Sequence, residues 1–443
     1  MATSMTTATA IDSTSSRPSS SSSSQPRPSQ PRPRLRVLFC GRDMHFGWQY
    51  THEALRDDHD IEVVQCDRED AARLLPEFDV AVPLMTRLDA EALAAAGVVA
   101  AGGEGKKGGG KLRLVLQYGV GLEGIDLPAA SRAGVAVSNI PSTRVPNALS
   151  CAEMALFLAL AALRRAPELA ASIRNKRLGA PPGRTLWGKR ALLIGFGGIG
   201  RALAPRLRAL GVEVDAVRRS PWEEDEEGNE EGEEKEKKKK SDNDNSSNTS
   251  FVCPPAPPPP PPTSSTTPSP PRPPPPPHHH LSDFDVDPLL ASSSLSRKGR
   301  WSDLHSFAAT ADLAFLCCAE NDETRGVVGD AFWARAKPGL VLVNVARGGL
   351  VDPGAAVRAL RSQKAGALAL DVQWEEPVDV LKNDFKELCA HERVFLTPHV
   401  AGVTEESYRG MAEVVAGAAR RLTREGKVPE RVMNSPVDLP GGD

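Results

Sequence analysis

The decapeptide Ala191-Leu-Leu-Ile-Gly-Phe-Gly-Gly-Ile-Gly200 constrains this chain more than any other stretch. An apolar run ending in Gly-x-Gly-x-x-Gly reads as a buried strand that turns directly into a helix. In such a turn Gly195 permits the tight reversal and Gly197 lets the backbone approach a pyrophosphate. Gly200 lets the helix predicted over 201–210 pack closely on the strand. Gly198 and Ile199 complete the turn, and the free N–H groups at the helix start would take the phosphates. A glycine pattern alone can mark an ordinary tight turn. Here a strand precedes it, an apolar-periodic helix follows, and residues 211–217 supply a second strand. The context therefore predicts a βαβ unit that binds a dinucleotide.

The chain of 443 residues can hold two or three domains, and 40% hydrophobic residues are enough for ordinary cores. Its net charge of -3 gives no long-range attraction to nucleic acid or to an anionic membrane, so a small-molecule ligand is the expected partner. Seven cysteines without a C-x-x-C pair point to a reduced intracellular compartment and to no thiolate metal site. The longest apolar stretch, 154–163, is broken by Arg164 and Arg165 and is too short to span a bilayer, which predicts a soluble protein.

Residues 1–33 are almost entirely Ser, Thr, Pro, Ala and Gln with three arginines and a single acid, Asp12. They read as a disordered tail or as an organellar transit peptide, which leaves cytosol and plastid both open. From residue 34 short strands and helices alternate: strand 35–40, helix 51–56, strand 61–65, helix 68–75, strand 80–84, helix 89–96, then strands 112–117 and 135–138. Alternation of this kind predicts a parallel sheet flanked by helices. The Gly/Lys run 102–111 reads as a loop expansion. The long helix opening near Asn147 is apolar on more than one face, which suits burial between subunits or within one. Residues 172–187 read as a basic connector. Residues 222–300 pass through acidic, lysine, proline and histidine runs that cannot form a core. They read as a solvated insertion, with a nuclear signal, a polyproline ligand or a histidine metal clip as sharper alternatives.

The fold is expected to resume at Trp301: helix 302–310, strand 313–318, helix 330–334, strand 340–344, helix 354–360 and strands 367–371 and 394–396, with a final helix over 404–422. The expected architecture is α/β, with two doubly wound parallel-sheet domains. One comprises residues 34–140 and 405–434; the other, of Rossmann type, comprises residues 141–404 and is inserted in the first.

In open parallel sheets ligands bind beyond the carboxyl ends of the strands, so polar residues just after strands come first for inspection. Arg347 lies in Asn344-Val-Ala-Arg-Gly-Gly-Leu350, where two glycines leave the guanidinium room to fork onto a carboxylate. Glu376 lies past the next strand, and His399 lies in Thr397-Pro-His399 past the one after. A carboxylate bonded to the far nitrogen of a histidine raises its pKa and fixes its orientation, which makes a general acid. If a nicotinamide gives hydride to a carbonyl carbon, His399 held by Glu376 can give the proton to the oxygen while Arg347 anchors the substrate. Taken singly, each has a bland reading: His399 as a satisfied loop histidine, Glu376 as a solvated acid and Arg347 as a surface charge.

Together the glycine turn, Asn344–Leu350, Asp371-x-x-x-x-Glu376-Pro377 and Thr397-Pro-His399 resemble the D-isomer-specific 2-hydroxyacid dehydrogenase family, in that family's order. The resemblance runs from residue 34 to about 429 outside the insertions. It implies that Arg347, Glu376 and His399 are catalytic and that Val120 and Gly121 of Tyr118-Gly-Val-Gly121 present backbone N–H groups to the substrate carboxylate. It also implies that Asp371 lies near the nicotinamide carboxamide. Small 2-ketoacids such as glyoxylate or hydroxypyruvate, and a homodimer formed through the helix from Asn147, are likewise what the resemblance implies. Two positions depart from the family pattern: Gly124 stands where the family often has Asn, and Ala319 where it usually has Pro. Formate dehydrogenases of the same superfamily carry Gln in place of Glu376, so the Glu favours ketoacid chemistry. The family also includes non-catalytic corepressors, which keeps a binding or scaffold role as an alternative.

The residues after the second strand of the βαβ unit select the cofactor. An acid there would bond the ribose hydroxyl of NAD. Alternation places Val217 within the strand and Arg218, Arg219 and Ser220 beyond it, a set that can hold the 2′-phosphate of NADP. NADP is therefore expected. NAD is the alternative if the strand ends earlier and Asp215 serves as the acid.

Overall fold

The structure, a computed structural model, describes residues 35–42, 45–98, 109–142, 144–222, 292–381 and 383–434. The tail 1–33, residues 102–108 of the Gly/Lys run, and residues 223–291 lie outside the described residues.

The first sheet contains β1 (Leu35–Cys40), β2 (Ile61–Cys66), β3 (Val80–Pro83), β4 (Leu114–Gln117) and β5 (Ala136–Asn139). The order is β2-β1-β3-β4-β5 and every neighbouring pair is parallel. The inner strands β1, β3 and β4 are mostly apolar and buried, as strands covered on both faces are. Val37 and Phe39 point into one core cluster, and Leu38 and Cys40 point into another. The flanking helices are α1 (His45–Ala54), α2 (Arg68–Leu74), α3 (Ala90–Ala96) and α4 (Leu127–Arg132). Asp89 and Asp126 fix the starts of α3 and α4 by accepting the N–H groups of Ala92 and Ala129.

The chain leaves this sheet through α5 (Asn147–Leu163) and α6 (Ala166–Arg174). It then builds β6 (Arg190–Ile194), α7 (Gly198–Ala209), β7 (Glu213–Arg218), β8 (Arg297–Arg300), α8 (Leu304–Ala308), β9 (Leu313–Leu316), α9 (Asp330–Arg335) and β10 (Leu340–Asn344). After these come α10 (Pro353–Arg361), β11 (Ala365–Leu370), α11 (Asn383–Ala390) and β12 (Val394–Leu396). The order β12-β11-β10-β9-β6-β7-β8 is again parallel throughout. Winding proceeds one way from β6 to β8 and the other way from β9 to β12. The switch point thus falls beyond the ends of β6 and β9, where the glycine turn lies.

The last helix, α12 (Glu405–Glu425), is capped by the Thr404 hydroxyl and returns to the first sheet. Tyr408, Met411, Val415 and Leu422 share a core with Val37 and Phe39. Arg420 pairs with Asp58 at 2.9 Å, and Arg409 pairs with Glu53 at 3.3 Å. Beyond the helix, Met433 donates its N–H to the Val137 carbonyl, and the Asn434 side chain accepts from the N–H of Val137 on β5. Among the described residues no single helix is long and apolar enough to cross a membrane.

Several local expectations change. Helix α1 starts at His45 rather than 51, and it includes Gly47 because a Cβ there would stand 3.1 Å from the Tyr118 ring and 3.2 Å from Leu84. Part of the connector 172–187 belongs to α6, whose Pro167 sits in the first turn, where a missing N–H costs nothing. Helix α7 begins at Gly198, not 201. The low-complexity segment is shorter than 222–300: Trp222 is buried, and 297–300 form the charged edge strand β8.

Candidate active site

Two glycines of the turn are held to glycine by their surroundings. Gly195 has a φ of +99°, and a Cβ there would lie 2.7 Å from the N–H nitrogen of Cys318. At Gly200 a Cβ would lie 2.7 Å from the Gly195 carbonyl oxygen. Around Gly197, by contrast, a Cβ would meet nothing within 4 Å, so the backbone at the start of α7 borders open space. Gly198 opens the helix, and Ile199 packs against the core beneath it. An open helix start beside a positive-φ glycine fits the pyrophosphate of a dinucleotide.

Arg347, Glu376 and His399 come from the loops after β10, β11 and β12, and the structure brings Glu376 and His399 into contact. Nδ1 of His399 lies 2.7 Å from a carboxylate oxygen of Glu376, and the other oxygen accepts the Gln373 N–H at 3.0 Å. Burial would raise the Glu376 pKa. The hydrogen bond and charge of His399, the Gln373 N–H and the Arg347 charge outweigh it and hold the carboxyl below its usual range. Arg347 donates to the Ala346 carbonyl at 2.7 Å, and the Asn344 side chain donates to the Arg347 carbonyl at 2.8 Å. A Cβ at Gly348 would collide with the Gln373 carbonyl, so that glycine lets the arginine loop pass against the loop of Glu376.

Asp371 is fully buried. One of its oxygens accepts from the Thr397 hydroxyl at 2.5 Å and from the Val400 N–H at 2.9 Å, and the other accepts from the Ala401 N–H at 2.8 Å. Its place in the structure is thus the underside of the His399 loop.

Val120 and Gly121 follow β4 of the first sheet and are brought to Arg347. A Cβ at Gly121 would collide with the Arg347 guanidinium and with the carboxylate of Glu123. Val120 is about half exposed, and its carbonyl accepts from the Asn139 side chain at 2.7 Å. Glu123, which sequence reasoning passed over, lies 3.6 Å from Nε of Arg347. Its signal was an acid two residues after the glycine loop. The two departures from the family pattern are accommodated: the Gly124 carbonyl accepts from the Leu88 N–H at 2.8 Å, and the Ala319 carbonyl accepts from the Thr324 hydroxyl at 2.8 Å.

At the other side of the glycine turn, β7 extends one residue further than expected. Arg218 is its last residue and pairs in register with Arg300 of β8. The Arg218 side chain bonds the carbonyls of Ser220 and Pro221 and lies 4.8 Å from the Trp222 ring. Arg219 pairs with Glu323 at 3.2 Å, and Ser220 is exposed. Asp215 lies mid-strand, wholly buried, and is held by Arg190 at 3.2 Å and Arg297 at 2.6 Å. That pairing removes it as a ribose-binding acid.

Two sheets of parallel strands, a glycine turn at the switch point and an Arg–Glu–His set on successive strand ends define a dinucleotide-binding α/β protein. A sequence profile described as D-isomer specific 2-hydroxyacid dehydrogenase, NAD binding domain, matches residues 156–252 and 284–401. The chain belongs to that family. It is 29% identical over 393 residues to the D-3-phosphoglycerate dehydrogenase of Mycobacterium leprae, which covers 87% of this chain and 57% of the relative. It is 27% identical over 353 residues to the enzyme of that name from Archaeoglobus fulgidus, which covers 79% of this chain and 50% of the relative. The chain thus spans about half the length of these curated relatives. Among solved structures, the pyruvate reductase of Chlamydomonas reinhardtii superposes with a TM-score of 0.62 at 21% identity, covering 89% of this chain and 97% of that one. An NADPH-dependent glyoxylate/hydroxypyruvate reductase from Sinorhizobium meliloti gives 0.61 at 22% identity, covering 91% and 98%. These likenesses establish the fold.

Proposed function

We propose that the protein is a D-2-hydroxyacid dehydrogenase that interconverts a small 2-ketoacid, such as glyoxylate or hydroxypyruvate, with its D-2-hydroxyacid, preferring NADP to NAD. The observation that carries this reading is the 2.7 Å contact between His399 Nδ1 and Glu376, with Arg347 on the neighbouring strand end. Gly195, Gly197, Gly198, Ile199 and Gly200 would hold the dinucleotide, which supplies the hydride when bound. Arg347 can grip the carboxylate of the ketoacid, with the N–H groups of Val120 and Gly121 presented beside it. With Nδ1 engaged, Nε2 of His399 is the atom that exchanges the proton with the substrate oxygen. The ionised Glu376 stabilises the imidazolium and prevents the ring from turning.

A homodimer through α5 is part of this reading. Phe157 and Leu160 on α5, Leu169 and Ile173 on α6, and Leu178 beyond it are exposed apolar side chains. Residues of α5 and α6 also line a cleft of about 200 Å³, with Leu163, Pro167, Arg184 and Phe395 among its walls.

Purified protein assayed with glyoxylate, hydroxypyruvate, pyruvate, longer 2-ketoacids and D-3-phosphoglycerate, each with the appropriate form of either cofactor, tests the reading. Turnover is expected, and His399→Ala should reduce it by ~10²–10⁴-fold while cofactor affinity is kept. Absence of turnover with the whole panel, together with tight binding of a peptide, would favour the scaffold alternative.

A further inference from the structure

Cys40 and Cys66 end the neighbouring parallel strands β1 and β2, and they are partners in register. Residues in register on parallel strands project to the same side, and both thiols belong to the same buried cluster, with Ala71 and Leu75. Adjacent strands lie about 4.8 Å apart, inside the roughly 4.4–6.8 Å Cα separation that a disulfide spans. The Cys40 thiol donates to the Leu38 carbonyl at 3.7 Å, and both cysteines are buried. We propose that Cys40 and Cys66 form a reversible intrachain disulfide by exchange with a small-molecule disulfide.

The two sulfurs differ in a way that orders the reaction. Interaction with the Cys40 thiol holds the Cys66 thiol below its usual range against opposing burial. The same contact, with burial, pushes Cys40 well up. Burial alone would make both inert, as it does for Cys151 and Cys318, each pushed up to about 12. The Cys66 thiolate therefore attacks one sulfur of oxidised glutathione and expels a glutathione thiolate, which takes up the proton Cys66 has lost. Cys40 then gives up its proton, attacks the Cys66 sulfur and expels the second glutathione. One disulfide is consumed and one is formed, and two protein thiols are exchanged for two glutathione thiols, so no further oxidant is needed.

The bond would tie strand ends that border the substrate-side loops. Gly41 follows Cys40 directly, and the Thr86 hydroxyl after β3 donates to the Cys40 carbonyl at 2.6 Å. A disulfide made by exchange is undone by the reverse exchange with excess thiol.

The test treats the full-length native protein with oxidised glutathione at neutral pH, alkylates the remaining thiols, and digests with trypsin, for which Arg42 and Arg56 lie between the two cysteines. The expected product is a linked Cys40–Cys66 peptide pair, with two fewer of the seven thiols alkylated, an unchanged near-ultraviolet circular dichroism spectrum and full reversal by dithiothreitol. Its formation should be roughly tenfold or more faster than modification of Cys151 or Cys318 in the same sample. In Cys66→Ser, Cys40 should stay unmodified. Four results would overturn the proposal: both thiols still alkylated, a lasting glutathione adduct on Cys66 alone, a link that appears only in denaturant, or modification of Cys40 in Cys66→Ser at the wild-type rate.

Discussion

His399 donates its main-chain N–H to the carbonyl of Asp371 at 2.8 Å, while the buried carboxylate of Asp371 grips Thr397, Val400 and Ala401 on either side of it. His399 has a φ of 53°, in the left-handed region, which for a side-chain-bearing residue costs on the order of 1 kcal/mol. Asp371 offsets that cost by fixing the loop from both ends.

Replacing Asp371 by Asn would leave one acceptor oxygen where two serve now and would put an amide against backbone N–H donors. Loss of a charge-assisted hydrogen bond costs ~1.5–3 kcal/mol, so urea unfolding of Asp371→Asn should show a loss of about that size. Turnover should fall as well, because His399 would lose its fixed position. A variant with wild-type stability would refute the bracing role.

The Glu376 carboxyl is held below its usual range, so the sign of its pH linkage is fixed. A depressed carboxylate contributes stability that is fully present above its unfolded pKa and lost as pH falls through the lower folded value. Glu376→Gln removes that titration. The stability advantage of wild type over Glu376→Gln, measured by urea unfolding, should be present near about pH 7 and shrink towards about pH 3. A difference that does not change with pH would show that the carboxylate is not ionised against His399.

Much of the fold and most of the Arg347–Glu376–His399 arrangement could be read from the chain, because strand ends in a parallel sheet are where apolar runs stop and polar residues begin. Three glycines at fixed spacing placed the switch point. What could not be read depends on partners far along the chain. Strand β8 is Arg-Lys-Gly-Arg, with no apolar pattern, and it is a strand because Arg297 reaches the buried Asp215 across 82 residues and Trp222 donates to the Gly299 carbonyl. The same ion pair turns Asp215 from a plausible ribose acid into a core residue. The first turns of helix α1 could not be read either, because Gly47 belongs there through its close approach to Tyr118.

If Arg347 binds the ketoacid carboxylate as proposed, Glu123 competes with substrate. Its carboxylate lies 3.6 Å from the arginine expected to bind the ketoacid carboxylate, and at this half-exposed site the attraction is modest. Glu123→Gln should lower KM for the ketoacid several-fold and leave kcat within about twofold, since the competition acts on binding alone. A raised KM would mean that Glu123 positions Arg347 instead of opposing its substrate.

The proposed preference for NADP rests on three residues, Arg218, Arg219 and Ser220, that do not converge in the structure. Arg218 folds back onto the Ser220 and Pro221 carbonyls and the Trp222 ring, and Arg219 is paired with Glu323. To bind a 2′-phosphate, Arg219 must exchange an exposed carboxylate for a phosphate, which carries more charge and more acceptor oxygens. An exposed ion pair holds it by ~1 kcal/mol at most, so the exchange is easily made. Replacing both arginines by Ala should therefore raise KM for NADPH about tenfold or more and hardly move that for NADH. Glu323→Gln should act in the opposite direction and lower KM for NADPH a few-fold by releasing Arg219. Steady-state kinetics with both cofactors decides the matter. A wild-type preference for NADH, or a double variant weakened equally towards both cofactors, would show that the phosphate is not bound here.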